Sequence, residues 1–251
     1  MTISASGRPP DPPLIDCTGQ ALFLTGAASG IGAATARLFA GAGARVAAFD
    51  IAAGPSESDY LWLHGDAASA RDVDHAVAAT VKAFGRIDHV VHCVGRTGSG
   101  PLVDMELADW NDQLAVNLTS AFLLAKAAAA PLRGSRGSLV LVGSPNGVHG
   151  GSILSGPAYA AAKAGLINLA RYLAREWAPD VRVNCLVPGT VDTPMLDRLS
   201  PEQRSKLIES VPIGRLVTAD EAASAIAFLC SAHAGAMTGS TMNVSGGRLM
   251  I

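Results

Sequence analysis

The stretch "ALFLTGAASGIGAATARLFA", residues 21–40, sets an apolar run against a run of helix formers, with Gly26, Gly30 and Gly32 between them. In a chain with 27 glycines the spacing alone is a weak signal. Its position carries the meaning, because it follows a strand-like segment directly and opens a helix. Glycines there permit a tight turn and let a pyrophosphate approach the free amides of a helix N-terminus. Ser29 and Ile31 lie within the same turn. No Lys-Ser or Lys-Thr follows Gly32, which excludes a Walker phosphate loop.

The next apolar run, "RVAAFD", ends on Asp50, 24 positions after Gly26, about where a dinucleotide-binding fold holds the adenosine ribose. A carboxylate there accepts hydrogen bonds from a free 2′-hydroxyl and repels a 2′-phosphate. No Arg or Lys lies in the glycine turn or just after Asp50 to offset it, so NAD is expected in preference to NADP. The plainer alternative is an aspartate that only caps a strand end.

Further along, "YLWLH", "DHVVHCV", "SLVLVG", "VRVNCLV" and "TMNV" read as buried strands, about seven in all, most of them separated by helix-length stretches. Two of these stretches are "ELADWNDQLAVNLTSAFLLAKAAAA" (106–130) and "AYAAAKAGLINLARYLAREWA" (158–178). Continuously apolar strands joined by such crossovers specify the α/β class: a single Rossmann-like, doubly wound parallel sheet with helices on both faces. The "IAAGPSESD" after Asp50 is too short and turn-rich for a crossover helix and reads as a loop or single turn. Residues 1–16, with four prolines, read as a flexible arm before one domain spanning 17–251.

The 251 residues, 49% hydrophobic and 16% charged, supply the core of such a domain. A net charge of −2 leaves no basic surplus for nucleic acid or an anionic membrane. Cys17, Cys93, Cys185 and Cys230 stand far apart without a C-x-x-C, so neither a metal site nor a disulfide framework is expected. The N-terminus lacks signal-peptide order, and the most membrane-like run, "AFLLAKAAAA", is short and holds Lys126. A cytoplasmic protein without a membrane span is expected.

"PAYAAAKAG", residues 157–165, puts Tyr159 and Lys163 one above the other on one helix face. Taken with "TGAASGIG" at 25–32, Ser144 after "SLVLVG" and "PGTVDTPM" at 188–195, it makes the chain resemble the short-chain dehydrogenase/reductase family from about residue 17 onward. The resemblance implies that Tyr159 is the general acid/base for hydride transfer between an alcohol carbon and a nicotinamide. A phenol of ordinary pKa, about 10, is a poor base at neutral pH and needs a nearby cation. Lys163 is expected to supply that charge and to bond the nicotinamide ribose. Ser144 would hold the substrate oxygen. Its 15-residue separation from Tyr159 is slightly long for the family, so Ser152 and Ser155 stand as alternatives. Asn117 matches the family's helix asparagine that helps carry a proton relay through water; otherwise it is a buried polar residue bonded to backbone.

The resemblance also implies the cofactor contacts: the glycine turn, Asp50 with Ile51, Asp66 with Ala67, Val94 with Gly95, and Pro188, Gly189, Val191 and Thr193. Within the last group the Val191 backbone and Thr193 hydroxyl would meet the nicotinamide carboxamide. Asp66 reads equally well as a helix N-cap. The departure from the family pattern is "VHCVGR", where His92, Cys93 and Val94 replace the usual Asn-Ala before Gly95; His92 reads as a hydrogen-bonded core histidine.

Asn146, His149 and Met195 are expected beside Ser144 and Tyr159 at the substrate, a small-molecule secondary alcohol or ketone. A helical lid at about 193–215 should close over it. No convergent Arg cluster for a carboxylate is evident beyond Arg96 and either Arg198 or Arg215. The long apolar helices and the "GRLMI" tail suggest subunit contacts in a homotetramer. A nucleotide-sugar epimerase or dehydratase would need more chain after residue 195. A catalytically silent NAD-binding sensor or scaffold would have no reason to combine Ser144, Tyr159, Lys163 and Asn117.

Overall fold

Each strand begins close to where an apolar run begins. The computed structural model describes residues 15–54 and 59–250. Its strands are β1 (Ala21–Thr25), β2 (Arg45–Asp50), β3 (Leu61–His64), β4 (His89–His92), β5 (Ser138–Val142), β6 (Arg182–Pro188) and β7 (Thr241–Val244). They form one parallel sheet in the order β3-β2-β1-β4-β5-β6-β7. The chain winds outward one way through β1–β3 and the other way through β4–β7, which puts the switch point between β1 and β4. A crevice therefore opens at their carboxyl ends.

The helices are α1 (Gly30–Gly41), α2 (Ala70–Phe84), α3 (Leu107–Leu114), α4 (Ser120–Ser135), α5 (Asn146–His149), α6 (Pro157–Trp177), α7 (Pro201–Glu209) and α8 (Ala219–Cys230). Side chains alternate across the sheet, so neighbouring residues of β1 enter different layers. Leu22 and Leu24 pack with Phe39 of α1 and Ile226 of α8, while Phe23 packs with Val73 of α2, Leu124 of α4 and Leu166 of α6. Helices thus cover both faces, as the apolar strands require.

The helix expected over 106–130 is interrupted. A π-helical turn, Ala115–Thr119, separates α3 from α4 and carries Asn117. By length and composition the whole stretch Leu107–Ser135 could cross a membrane. In the fold, Leu124, Ala128 and Leu132 instead bury one side of it in the sheet layer. Phe122 on α4 and Tyr172 on α6, within the runs assigned to subunit contacts, are 51% and 64% exposed. All four cysteines are free.

Of the expected arm, residues 1–14 lie outside the described residues, and Ile15 already belongs to the core with Phe39. After Asp50, residues 51–54 and 59–60 form no helix, in line with the turn-rich sequence; 55–58 lie outside the described residues.

Two histidines on β4 are held neutral inside the fold. His92 is fully buried, its Nδ1 2.8 Å from Thr25 Oγ1 and its Nε2 3.1 Å from Ser120 Oγ. His89 shares hydrogens with Ser138 Oγ and Gln20 Oε1, each at 2.9 Å. Burial, the largest influence on both, lowers their pKa values to about 3 and about 4. An unfolded chain binds these protons at about pH 6.5. The stability tied to the neutral rings is therefore complete above that pH and is lost progressively as pH falls from about 6.5 to about 4 for His89 and about 3 for His92. Each histidine should steepen the loss by about 1.4 kcal/mol per pH unit. Denaturant unfolding at pH 7, 6 and 5 should show this decline, and a flat profile would contradict the assignment.

Candidate active site

The glycine turn is dictated by lack of space. Gly26 and Gly30 have φ of +74° and +53°, in the left-handed region. A Cβ on Gly26 would lie 2.9 Å from the Cys93 carbonyl carbon, and one on Gly32 only 1.9 Å from the Gly26 oxygen. The turn folds onto itself and against the end of β4, so the N-terminus of α1 opens at the switch point. No acidic residue sits in that first turn, and Ser29 makes no side-chain cap bond, so its amides are free to meet an anion.

Asp50 does more than cap its strand. Its Oδ2 accepts the Ala28 N–H and its Oδ1 the Ala52 N–H, both at 2.9 Å, tying the glycine turn to the end of β2. Asp66 is not the N-cap of α2. That position belongs to Ser69, whose Oγ accepts the Asp72 N–H at 3.3 Å, while Asp66 Oδ1 accepts the Ala68 N–H at 2.8 Å.

A cleft of about 580 Å³ runs from this turn across the sheet end to the segment after Thr193. Gly26, Ser29, Gly30, Ile31 and Gly32 line one end, with Asp50, Ile51, Asp66 and Ala67. Val94, Gly95, Pro188, Gly189, Val191 and Thr193 continue the lining. Every cofactor residue expected from the sequence therefore opens onto one space. A cradle that a single Cβ would fill, facing a carboxylate across an open helix N-terminus, fits a dinucleotide.

Tyr159 and Lys163 enter the cleft from α6, 7% and 3% exposed. Lys163 Nζ lies 5.8 Å from the Tyr159 ring centre but donates to the Val142 carbonyl at 2.9 Å and the Val94 carbonyl at 3.4 Å. The cation therefore does not bring the phenol down as expected. Burial pushes the Tyr159 pKa above its usual value, against weaker opposing pulls from the Ser144 hydrogen bond and the Arg198 charge. Burial also lowers Lys163 to about 8. Ser144, at the end of β5, is the serine against the phenol. Ser155 Oγ is engaged in its own turn with the Ser152 backbone, at 2.9 and 3.1 Å.

Two expected residues do not line the cleft. Asn117 is fully buried; its Oδ1 accepts the Arg96 N–H at 3.0 Å, and its Nδ2 donates to the carbonyls of Arg96 at 3.0 Å and Gln113 at 2.9 Å. It fixes the Gly95–Arg96 backbone, the alternative its sequence context left open. A Cβ on Gly95 would stand 3.2 Å from both Asn117 Oδ1 and Lys163 Nζ, so this brace reaches Lys163. His149 is exposed, and its Nδ1 accepts the Gly151 N–H at 3.2 Å, closing the turn after α5 instead of meeting the pocket. Asn146 and Met195 do line the cleft, while Arg215 is forked onto Glu221 at 2.6 and 2.9 Å.

A family model described as "Enoyl-(Acyl carrier protein) reductase" matches residues 26–248, and a short-chain type dehydrogenase/reductase of Sinorhizobium fredii, itself uncharacterized, is 36% identical over 92% of this chain and 98% of its own. The chain belongs to the short-chain dehydrogenase/reductase family. Another member, a 3-oxoacyl-[acyl-carrier-protein] reductase from Escherichia coli, is 38% identical over 93% of this chain and 98% of its own. A Brucella melitensis short-chain dehydrogenase/reductase titled as a glucose/ribitol dehydrogenase superposes with a TM-score of 0.88 at 34% identity, covering 94% and 99% of the two chains. Thermoplasma acidophilum aldohexose dehydrogenase superposes with a TM-score of 0.84 at 29% identity, covering 94% of each. Short-chain dehydrogenases/reductases use a nicotinamide cofactor.

Sequence reasoning missed several lining residues of this short-chain dehydrogenase/reductase, among them Asp112, Val116 and Arg248. Asp112 pairs with Arg96, Val116 comes from the π-helical turn, and Arg248 reaches Thr190 Oγ1 from the C-terminal tail. The π turn brings Val116 there and the returning tail Arg248, and neither has a local sequence signal.

Proposed function

We propose that this chain transfers a hydride between NAD(H) and the carbinol carbon of a small secondary alcohol or ketone, with Tyr159 as general acid/base. One observation carries the reading: Tyr159 and Ser144 open into the same cleft as the glycine turn and Asp50. The bound nicotinamide supplies or receives the hydride. The substrate oxygen sits between the Ser144 and Tyr159 hydroxyls. A phenol kept protonated by burial gives its proton to a carbonyl oxygen in reduction and retrieves it in oxidation. Lys163, with its ammonium 5.8 Å from the Tyr159 ring centre and lining the same cleft, is the residue that would bond the nicotinamide ribose. Leu196, Leu199 and Leu207, on the segment proposed as the lid, keep water from the reacting carbon. The names of two relatives, a 3-oxoacyl reductase and an aldohexose dehydrogenase, describe reactions of this type.

NAD is the proposed cofactor because Ser29, Asp50, Ile51, Asp66 and Ala67, at the adenosine end, include an acid at the ribose and no cation. Purified protein should turn over cyclic, sugar or hydroxy-acid alcohols with NAD at least about tenfold faster than with NADP, given the several kcal/mol cost of facing like charges. Asp50→Ser should narrow that ratio. Equal use of both cofactors by the wild type would sink the Asp50 assignment. Tight NAD binding without turnover of any alcohol or ketone would favour a silent sensor or scaffold.

A further inference from the structure

We propose that the substrate carries a carboxylate close to its reacting carbon and that Arg198 holds it. The inference rests on the hydride-transfer reading and names its substrate class. Among the described residues, four cations line the cleft: Lys163, Arg96, Arg198 and Arg248. Lys163 is turned to backbone carbonyls and Arg96 is paired with Asp112, while Arg248, also without a carboxylate partner among the described residues, is tied to Thr190 and not to the segment between Ser144 and Tyr159.

Arg198 differs from the other arginines of its own segment. Arg204 is paired with Asp192 at 2.6 Å and Arg215 with Glu221 at 2.6 Å, whereas Arg198 has no carboxylate partner among the described residues. One of its five N–H groups is used, Nη2 donating to the Leu154 carbonyl at 2.6 Å. Leu154 lies between Ser144 and Tyr159 in the chain, so this bond anchors the guanidinium to the wall bearing the catalytic hydroxyls. The charge of Arg198 also pulls the pKa of the Tyr159 phenol down, against the larger effect of burial. The remaining donors of the planar fork match the two oxygens of a carboxylate.

A purely structural latch between Arg198 and Leu154 is the competing account, and charge separates the two. With NADH, reduction of 3-oxobutanoate should exceed that of its methyl ester at least about tenfold in kcat/KM, as expected for a hydrogen bond to a charged group. Arg198→Gln, which retains an amide donor for Leu154, should erase that ratio, and Arg198→Lys should restore part of it. A wild-type ratio near one, or a ratio that survives in Arg198→Gln, overturns the proposal.

A second measurement needs no turnover: calorimetric titration of the protein–NAD complex with 3-methylbutanoate and with 3-methylbutanamide. Binding of the carboxylate alone, lost in Arg198→Gln, supports the assignment; equal binding, or none, overturns it. Failure of hydride transfer itself would be read separately, from NADH consumption with neutral ketones.

Discussion

Tyr159→Phe should lower turnover by about 10²–10⁴-fold while the protein still folds and binds NAD, the range expected when a positioned acid/base is removed. The ring remains, and with it the packing of a side chain only 7% exposed. What disappears is the hydroxyl that Ser144 faces, so the substrate oxygen loses both its proton donor and one of its two anchors. Steady-state rates with a good alcohol or ketone, alongside a fluorescence titration with NAD, separate the chemical loss from any loss of binding. Oxidation at full speed in the variant would remove the basis of the proposed mechanism.

Gly32→Ala should abolish high-affinity NAD binding and cost about 1–3 kcal/mol of stability, as overpacking does. The new Cβ would sit 1.9 Å from the Gly26 oxygen and 2.8 Å from its carbonyl carbon. A Cβ is fixed to the backbone, so no rotamer relieves that contact; the turn has to open and carry the N-terminus of α1 away from the crevice. Gly41→Ala, in the same helix with nothing within 4 Å of its Cβ, is the control and should leave stability unchanged or raise it by about 0.5–1 kcal/mol. Thermal unfolding with and without NAD checks both. Normal affinity in Gly32→Ala would show that the turn is not the pyrophosphate cradle.

All seven strands, the sheet class and the residues gathered around the glycine turn at one end of the cleft were readable from the chain, because each leaves a local trace. Apolar runs mark strands buried on both faces, and Gly26, Gly30 and Gly32 mark a turn where side chains cannot fit. Properties set by distant partners were less readable. The four-residue spacing brings Lys163 over the Tyr159 ring, but spacing says nothing of the Val142 and Val94 carbonyls that take its hydrogens, nor of the burial that pushes the phenol's pKa up. Asn117 sits where a helical pattern continues unbroken, and only its bonds to Arg96 reveal the π turn's use as a brace. His149 was expected at the pocket from its place in the chain, yet it is taken up by the turn at Gly151. Arg248 follows the last strand by a few residues and shows its relation to the cleft only after the sheet has been assembled.

The hydrogen bonds of Lys163 also have an architectural consequence. Its ammonium links the backbone beyond β4 to the last residue of β5, two neighbouring strands whose ends form the floor of the cleft. The residue is thus a strut as well as a reagent. Removing it would leave two carbonyls without their shared donor just where the floor must stay rigid. A dead Lys163 variant therefore mixes a lost charge with a sagging scaffold, and its rate should be weighed against its melting temperature before any of the deficit is credited to chemistry.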